Sequence, residues 1–344
     1  MTSLSGEVAI LPLKIAPMID KLKEEEFYKR NFRFSYSSLN KLLFSPSLFY
    51  KEYILKDREI KTDKHLIEGS LLHCLLFEPE NLAKKFKIVP GKTPTDNIRK
   101  VLHHMAEHTN EADLNDVSHF VILGSLKEIN LYQSLKKDEQ RLAKILTEDN
   151  NSYWQFIKNP IVDVIDEDTL DRMTKKVDIL KSNKEVMEVL EIVQSDFELD
   201  PIQTFCEKKL ETDLKNYDFG LKGIIDYYKI DSDQKSIIIC DLKTTGKTIS
   251  DFGETVEFYN YWMQAAIYTQ LVINNVEESI KDYQILFKFI VIDKYNQVYV
   301  FDVSDNTLSN WAMRLNETLE CANYHYSKRN YTLPYQFLTG QVFL

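Results

Sequence analysis

The fold is decided by residues 221–245, which read LKGIIDYYKIDSDQKSIIICDLKTT. Two apolar runs rich in Ile and Tyr flank the polar residues 231–234, and this pattern predicts a β-hairpin. The charged residues Asp226, Asp241 and Lys243 interrupt these runs. Charge inside a buried strand is costly unless it is paired or bound to a metal. The stretch therefore predicts a functional site as well as a pair of strands.

Pairing Ile230 with Lys235 across the turn brings Asp226 to the face that Asp241 and Lys243 share, because side chains alternate along a strand. Two carboxylates on one face can hold a divalent cation, and an ammonium beside them can orient a water molecule or stabilise developing charge. Such a set suits phosphodiester hydrolysis. The alternative is an exposed hairpin in which Asp241 and Lys243 form a solvated ion pair. A one-residue slip would move one strand's residues to the other face.

Composition bounds the class of protein. The chain has 344 residues, of which 44% are hydrophobic, enough for one large domain or two. Its formal charge of -10 argues against a protein that coats nucleic acid, so a nucleic-acid site requires a local basic patch. The candidate cations are Lys222, Lys243 and Lys247 near the hairpin, with Lys136, Lys137 and Arg141 on a predicted helix that could equally be a solvated face.

The cysteines form no CxxC pair, which predicts neither a disulfide framework nor a zinc or iron–sulfur site. The apolar residues 8–18 are broken by two prolines and a lysine, a pattern typical of neither a signal peptide nor a membrane span. We therefore expect reduced thiols, no membrane contact and a cytoplasmic location.

The first half of the chain is predicted to be mostly helical. Residues 37–43 predict a short helix capped by Ser37 or Ser38, and Ser45 followed by Pro46 predicts the start of another. Residues 66–77 are nearly all apolar and predict a buried helix that contains His73. That histidine could be a satisfied core residue or a metal ligand.

The second half predicts strands flanked by helices, which is an α/β pattern with a mixed sheet. Gln264 and Tyr268 are four residues apart on one predicted helix and share a face, either packed in the core or turned towards the hairpin. Besides the hairpin, the predicted strands are residues 202–212, 283–293 and 297–303. The predicted helices of this half are residues 255–274 and 308–328.

Five motifs in order resemble the PD-(D/E)XK nuclease superfamily, and within it the RecE-type exonuclease VIII family, which is related to lambda-type exonucleases and the RecB nuclease domain. The resemblance covers most of the chain. The motifs are SYSSLNKLLFSP at residues 35–46, EGSLLH with LLFEP at residues 68–79, KGIID at residues 222–226, DLKT at residues 241–244 and QAAIY at residues 264–268.

The resemblance implies a fold: a restriction-endonuclease-like core with a mixed β-sheet flanked by helices and a largely helical N-terminal half. It implies an N-terminal arm at residues 1–34, a mostly helical half at residues 35–200 that contributes His73, and a nuclease core at residues 201–344. Together these form a single nuclease domain.

The resemblance also implies roles. Asp226, Asp241 and Lys243 would be catalytic, and the metal ligands would be His73, the two aspartates and the Leu242 carbonyl. Lys243 would orient or activate the attacking water. Supporting or DNA-binding positions would be Gln264, Tyr268, Lys222, Glu207 and Thr244, with Glu207 matching an upstream acidic position.

The implied function is a Mg²⁺-dependent 5′-to-3′ exodeoxyribonuclease acting on ends of linear double-stranded DNA, with Mn²⁺ able to substitute. Such enzymes supply single strands to a phage-type annealing protein and form rings, so a homo-oligomer is expected. The alternatives are an endonuclease or restriction-like enzyme with the same site, and a catalytically silent DNA-binding subunit.

Overall fold

The computed structural model describes residues 15–58, 63–89, 92–157, 163–190 and 201–342. Most of the apolar stretch at residues 8–18 lies outside them. The helices are α1 (Ile15–Lys29), α2 (Tyr36–Phe44), α3 (Pro46–Phe49), α4 (Lys64–Phe77), α5 (Leu82–Lys85), α6 (Asp96–His108), α7 (His119–Glu128), α8 (Asp138–Ile145), α9 (Glu148–Trp154), α10 (Glu167–Ser182), α11 (Lys184–Val189), α12 (Phe252–Phe258), α13 (Tyr261–Asn275), α14 (Asp305–Lys328) and α15 (Tyr335–Leu338).

The strands are β1 (Arg33–Phe34), β2 (Phe86–Val89), β3 (Asp163–Asp166), β4 (Ile202–Asp213), β5 (Gly220–Asp231), β6 (Ser236–Thr244), β7 (Gln284–Ile292) and β8 (Val298–Val303). Among the described residues they form a six-stranded mixed sheet and a separate parallel pair, β2 with β3. In the large sheet β5 pairs antiparallel with β4 and β6, β6 pairs parallel with β7, and β7 pairs antiparallel with β8. The predicted mixed α/β fold is therefore confirmed.

The hairpin of β5 and β6 forms as predicted, but its register differs. Asp231 pairs with Ser236, whereas the prediction paired Ile230 with Lys235. The Asp231 carboxylate accepts the Gln234 N–H at 2.8 Å, and Lys235 has a φ of 48°, so the turn lies one residue later than predicted. Each strand shifts by one residue in the same direction along the chain, so the change in the turn by itself moves no side chain to the other face.

The strands β5 and β6 part just before the two aspartates. Their last paired residues are Tyr227 and Cys240, and the beginning of β5 pairs instead with the short parallel strand β1. Continuing the hairpin register places Asp226 opposite Asp241 at the opening of this fork. The fork frees backbone groups of β6 for contacts with side chains.

Helices cover both faces of the sheet. One core joins the sheet to α2, α13 and α14, and α13 is buried almost all round from Trp262 to Val272. The core on the opposite face joins the sheet to α4 and α10. The segment from β2 to β3 has a third core of its own, which centres on Trp154.

Several helix boundaries differ from the prediction. Helix α2 begins at Tyr36, and its cap is Ser35, which forms a reciprocal capping box with Ser38. Ser45 caps α3 as predicted. The predicted helix at residues 255–274 is two helices, because Asn260 between α12 and α13 adopts a left-handed conformation with φ 57°.

Candidate metal site at the fork of the central hairpin

Three side chains from three elements converge at the fork. His73 Nδ1 of α4 lies 3.1 Å from Glu207 Oε1 of β4 and 3.7 Å from Asp226 Oδ1 of β5. One ligand atom from each lies within 4.8 Å of the other two, close enough to share a metal ion. The fold thus brings together residues that are 134 positions apart in sequence.

The backbone of β6 closes the group from the other side. Asp226 Oδ2 accepts the Leu242 N–H at 2.8 Å, and His73 Nε2 lies 3.2 Å from the Leu242 carbonyl oxygen. Both contacts are available because β6 has left β5 at this point. The Leu242 carbonyl therefore lies beside His73, and its role as a metal ligand stays a prediction.

The strand alternation changes at this position, which lets helices from both faces reach the site. Ile225 and Tyr228 of β5 belong to the same core, although strict alternation would put them on opposite faces. On β4, Glu207 has a φ of 46°, a conformation that costs a non-glycine residue on the order of 1–3 kcal/mol. Strain of this kind persists where the surrounding structure requires it, and here it lies within the cluster.

Asp241 lies beside this group and is fully buried. Its Oδ2 is 2.5 Å from Lys243 Nζ, yet among the described residues neither carboxylate oxygen has a hydrogen-bond partner of ordinary geometry. Burial raises the pKa of Asp241 above its ordinary value, and the charge of Asp226 raises it further against the opposing effect of Lys243. A second cation at this position would relieve the penalty.

The histidine responds to the same negative charge. Burial lowers the pKa of His73, but the carboxylates of Asp226 and Glu207 outweigh this effect and raise the pKa to about 9. Burial likewise lowers the pKa of Lys243, and Asp241 and Asp226 outweigh it. The carboxylates therefore favour the protonated forms of His73 and Lys243.

Gln264 and Tyr268 share one face of α13, where Gln264 Nε2 donates to the Tyr268 hydroxyl at 2.8 Å. Burial raises the pKa of Tyr268 well above its ordinary value, and Asp226 and Asp241 add to the shift. Gly223 permits this approach, because a Cβ there would lie 3.0 Å from the Tyr268 ring. The pair therefore faces the hairpin, one of the two orientations that its spacing allows.

A cavity of about 630 Å³ opens beside this pair. It runs between the beginning of α2, strands β4 and β5, and α13. Lys209 and Lys222 contribute positive charge to its wall, and Glu211 contributes negative charge. Thr244 lies on the other side of the site, with its Oγ1 3.9 Å from the position of a Cβ built at Gly69.

The predicted helix that would carry Lys136, Lys137 and Arg141 on one face is not present in that form. Lys136 and Lys137 precede α8, which begins at Asp138. Arg141 donates to Asp138 Oδ1 at 2.8 Å and to the Leu135 carbonyl at 2.7 Å, so its guanidinium serves the local fold. These residues do not form the continuous cationic face that the sequence suggested.

The family of this chain is shown by its match to the model of a known family. A model of the PD-(D/E)XK nuclease superfamily matches residues 33–323, which is most of the chain. This protein belongs to the PD-(D/E)XK nuclease superfamily. Membership makes hydrolysis the reaction class and nucleic acid the substrate class.

Other comparisons add little. A search of curated proteins finds no match. One similar solved structure, described as a "putative exonuclease" from Eubacterium rectale, has 12% identity, covers 90% of this chain and 86% of that chain, and gives a TM-score of 0.43. Another, SSO0001, has 10% identity, covers 75% and 86%, and gives a TM-score of 0.23. Likenesses of this size carry no argument about function.

Nucleases of this superfamily depend on divalent metal ions, and the residues at the fork fit one. The cluster of His73, Glu207 and Asp226 supplies nitrogen and oxygen ligands. The buried carboxylate of Asp241, whose Oδ1 has no hydrogen-bond partner among the described residues, offers further coordination next to them. When bound, a metal ion polarises the phosphoryl group and acidifies a water molecule.

Sequence reasoning missed two aromatic residues of this nuclease. The ring centroid of Tyr261 lies 4.7 Å from Lys243 Nζ, and Tyr36 lines the cavity while its hydroxyl donates to the Tyr259 carbonyl. The signal that could have found Tyr261 is the preceding Asn260, since Asn tolerates the left-handed conformation that ends a helix. Within the described residues, no helix is long and apolar enough to cross a membrane.

Proposed function

We propose that this nuclease is a Mg²⁺-dependent exodeoxyribonuclease that hydrolyses linear double-stranded DNA from its ends in the 5′-to-3′ direction. The observation that carries the metal chemistry is the convergence of His73, Glu207 and Asp226 beside the buried carboxylate of Asp241, which is paired with Lys243. The preference for DNA ends and the polarity rest on the five ordered motifs shared with RecE-type exonucleases.

The ligands of the cation would be Asp226, Asp241, the neutral imidazole of His73 and the Leu242 carbonyl, with Glu207 completing the group. Binding of a cation would displace the extra proton of His73, because a protonated nitrogen cannot coordinate a metal. Mn²⁺ would substitute for Mg²⁺, since both take carboxylate and carbonyl oxygens of the kind that this site supplies.

Lys243 would act on the attacking water. Its ammonium is held by Asp241 on one side and by the face of Tyr261 on the other, so its position is fixed before substrate arrives. From there it would orient the water and stabilise charge that develops on the phosphate. Lys222, Thr244, Gln264 and Tyr268 would contact the substrate strand or support the ligands.

The product strands would be suited to a single-strand annealing protein of the phage recombination type, and a ring-shaped homo-oligomer would keep the enzyme on its DNA. Both follow from the resemblance. An endonuclease with the same site is the competing function, because the site geometry does not determine whether DNA enters by an end.

The test compares a linear duplex with a covalently closed circle, each with Mg²⁺ and with EDTA. The expected result is loss of the linear duplex with Mg²⁺ only, while the circle stays intact. Asp241→Asn, prepared in the same way, controls for contaminating nucleases. Cleavage of the circle would make the protein an endonuclease, and activity in EDTA would overturn the metal mechanism.

Polarity is read from duplexes that carry phosphorothioate linkages either at both 5′ ends or at both 3′ ends. A block at the 5′ ends should protect the duplex, whereas a block at the 3′ ends should not. Protection by 3′ blocks alone would reverse the proposed direction.

A further inference from the structure

The junction of α12 and α13 carries aromatic rings that face solvent. The side chain of Phe258 is 74% exposed and that of Tyr259 is 47% exposed. The two rings meet edge to face with centroids 4.9 Å apart. Adjacent exposed rings lose the free energy that burial would provide, which marks a surface with another use.

The rings connect this surface to the site at the fork. Tyr259 stacks on Tyr261 with centroids 5.5 Å apart, and Tyr261 lies over Lys243 Nζ. Lys247, four residues beyond Lys243, places its Nζ 5.9 Å from the Phe258 ring. The Tyr261 ring therefore lies between the outer rings and the ammonium that pairs with Asp241.

Hydrogen bonds of the Asn260 side chain and of the Tyr259 carbonyl hold these rings in place. Asn260 Oδ1 accepts the Trp262 indole N–H at 3.0 Å, and Asn260 Nδ2 donates to Asn40 Oδ1 at 2.8 Å. The Tyr259 carbonyl accepts the Tyr36 hydroxyl. The exposure of the rings is thus imposed by a fixed junction between α2, α12 and α13, and it does not come from a loose loop.

The neighbouring charges suit a polyanion. Lys247 is exposed beside Phe258. The adjacent acid, Glu257, is paired with Arg314 through two hydrogen bonds of 3.0 Å and 2.8 Å, so its charge is neutralised. Flat aromatic faces next to a cation are the elements with which proteins bind unpaired nucleic-acid strands.

We propose that Phe258 and Tyr259 form a stacking platform for unpaired nucleobases, with Lys247 contacting the phosphate between them. The inference rests on the proposed function for its location beside the cleaved strand. It goes further because it assigns the ligand of this surface: bases of single-stranded nucleic acid, held by stacking and without selection of sequence.

The test measures binding without hydrolysis. Fluorescence anisotropy in EDTA compares a labelled oligothymidylate with an abasic oligonucleotide of the same length, which has phosphates but no bases. The wild-type protein should bind the oligothymidylate at least about fivefold more tightly, since each stacked base contributes an effect of that size or more. The double variant Phe258→Ala/Tyr259→Ala should bind both oligonucleotides equally.

Two further sets of variants make the result specific. Phe120→Ala removes a ring that is 85% exposed on α7, in the helical segment, and should retain the wild-type preference. Phe258→Leu and Tyr259→Leu keep an apolar side chain but lose the aromatic face, so they should lose the preference, whereas Phe258→Trp should keep it. Retention of the preference in the leucine variants would overturn stacking.

The outcomes separate this inference from the proposed nuclease function. A wild-type protein that cleaves linear DNA but binds both oligonucleotides equally would refute the platform and leave the nuclease intact. A protein that prefers the oligothymidylate but cleaves no DNA would refute the nuclease function and leave the stacking platform intact. Concentration-dependent self-association that the double variant abolishes, with no preference for bases, would assign the rings to a subunit interface and overturn the proposal.

Discussion

Replacing Asp241 with Asn should separate metal binding from folding. The amide has the size of the carboxylate and can still accept a hydrogen bond from Lys243, but it removes one negative charge from a fully buried position. In the wild-type protein that carboxylate has no hydrogen-bond partner of ordinary geometry among the described residues, and the nearby charge of Asp226 opposes its ionisation. Asp241→Asn should therefore be at least as stable as wild type in EDTA.

Metal should reverse that order. A cation at 100 times its dissociation constant stabilises the folded state by about 2.7 kcal/mol. With an unfolding entropy of about 2.1 cal/mol/K per residue over 344 residues, this raises the melting temperature by about 4 °C. If the substitution weakens affinity about 100-fold, the same concentration stabilises the variant by about 0.4 kcal/mol, a shift of about half a degree.

The assay is thermal unfolding in EDTA and across MgCl₂ and MnCl₂ titrations at matched ionic strength. Asp302→Asn is the matched control, since this carboxylate lies on β8 with 72% of its side chain exposed. The control should show the full metal-dependent rise. A rise in Asp241→Asn equal to that of wild type would refute the assignment of Asp241 as a ligand, and a clear loss of stability in EDTA would refute the electrostatic argument.

Substitutions at three other positions, Asp226, Gly223 and Asp166, probe separate contacts. Asp226→Ala and Asp226→Asn should both abolish hydrolysis. Urea unfolding should show that the Ala variant is less stable than the Asn variant by about 1–3 kcal/mol, because Ala leaves the buried Leu242 N–H without its acceptor. Equal stabilities of the two variants would contradict this. Gly223→Ala should lower the free energy of unfolding by about 1–3 kcal/mol, since its Cβ would lie 3.0 Å from the Tyr268 ring. Gly124→Ala, whose Cβ would have no atom within 4 Å, should stabilise α7 slightly. The reverse order of stability would refute the packing argument. Burial raises the pKa of Asp166, but hydrogen bonds from two threonines outweigh this effect and lower the pKa below 3.8. The stability that Asp166 contributes is therefore fully present above pH 3.8, and it is lost as the pH falls through the lower pKa of the folded state. Asp166→Ala should cost about 1–2 kcal/mol at neutral pH and less in acid, and a cost independent of pH would show that the carboxylate charge is not involved.

Local pattern alone predicted much of this molecule. The alternation and turn residues of residues 221–245 predicted the hairpin, and period-two counting put Asp226, Asp241 and Lys243 on a common face. The error in the turn moved both strands together, so by itself it turned no side chain to the other face. The alternation nevertheless changes at Asp226, which period-two counting does not predict. Cap residues and apolar periodicity likewise located α3, α4 and α14 to within a few residues.

Tertiary structure decided the rest. Glu207 joins the cluster only because β4 adopts a left-handed residue beside the fork, and no sequence pattern predicts that a glutamate will take a strained conformation. His73 reaches the same point because the strand alternation changes there, which depends on where β6 leaves β5 and β1 replaces it. The break at Asn260, which turns Phe258 and Tyr259 outward, depends on hydrogen bonds to α2, a helix more than 200 residues away in sequence. Sequence determined which chemical groups the site could use, and long-range packing determined which of them meet.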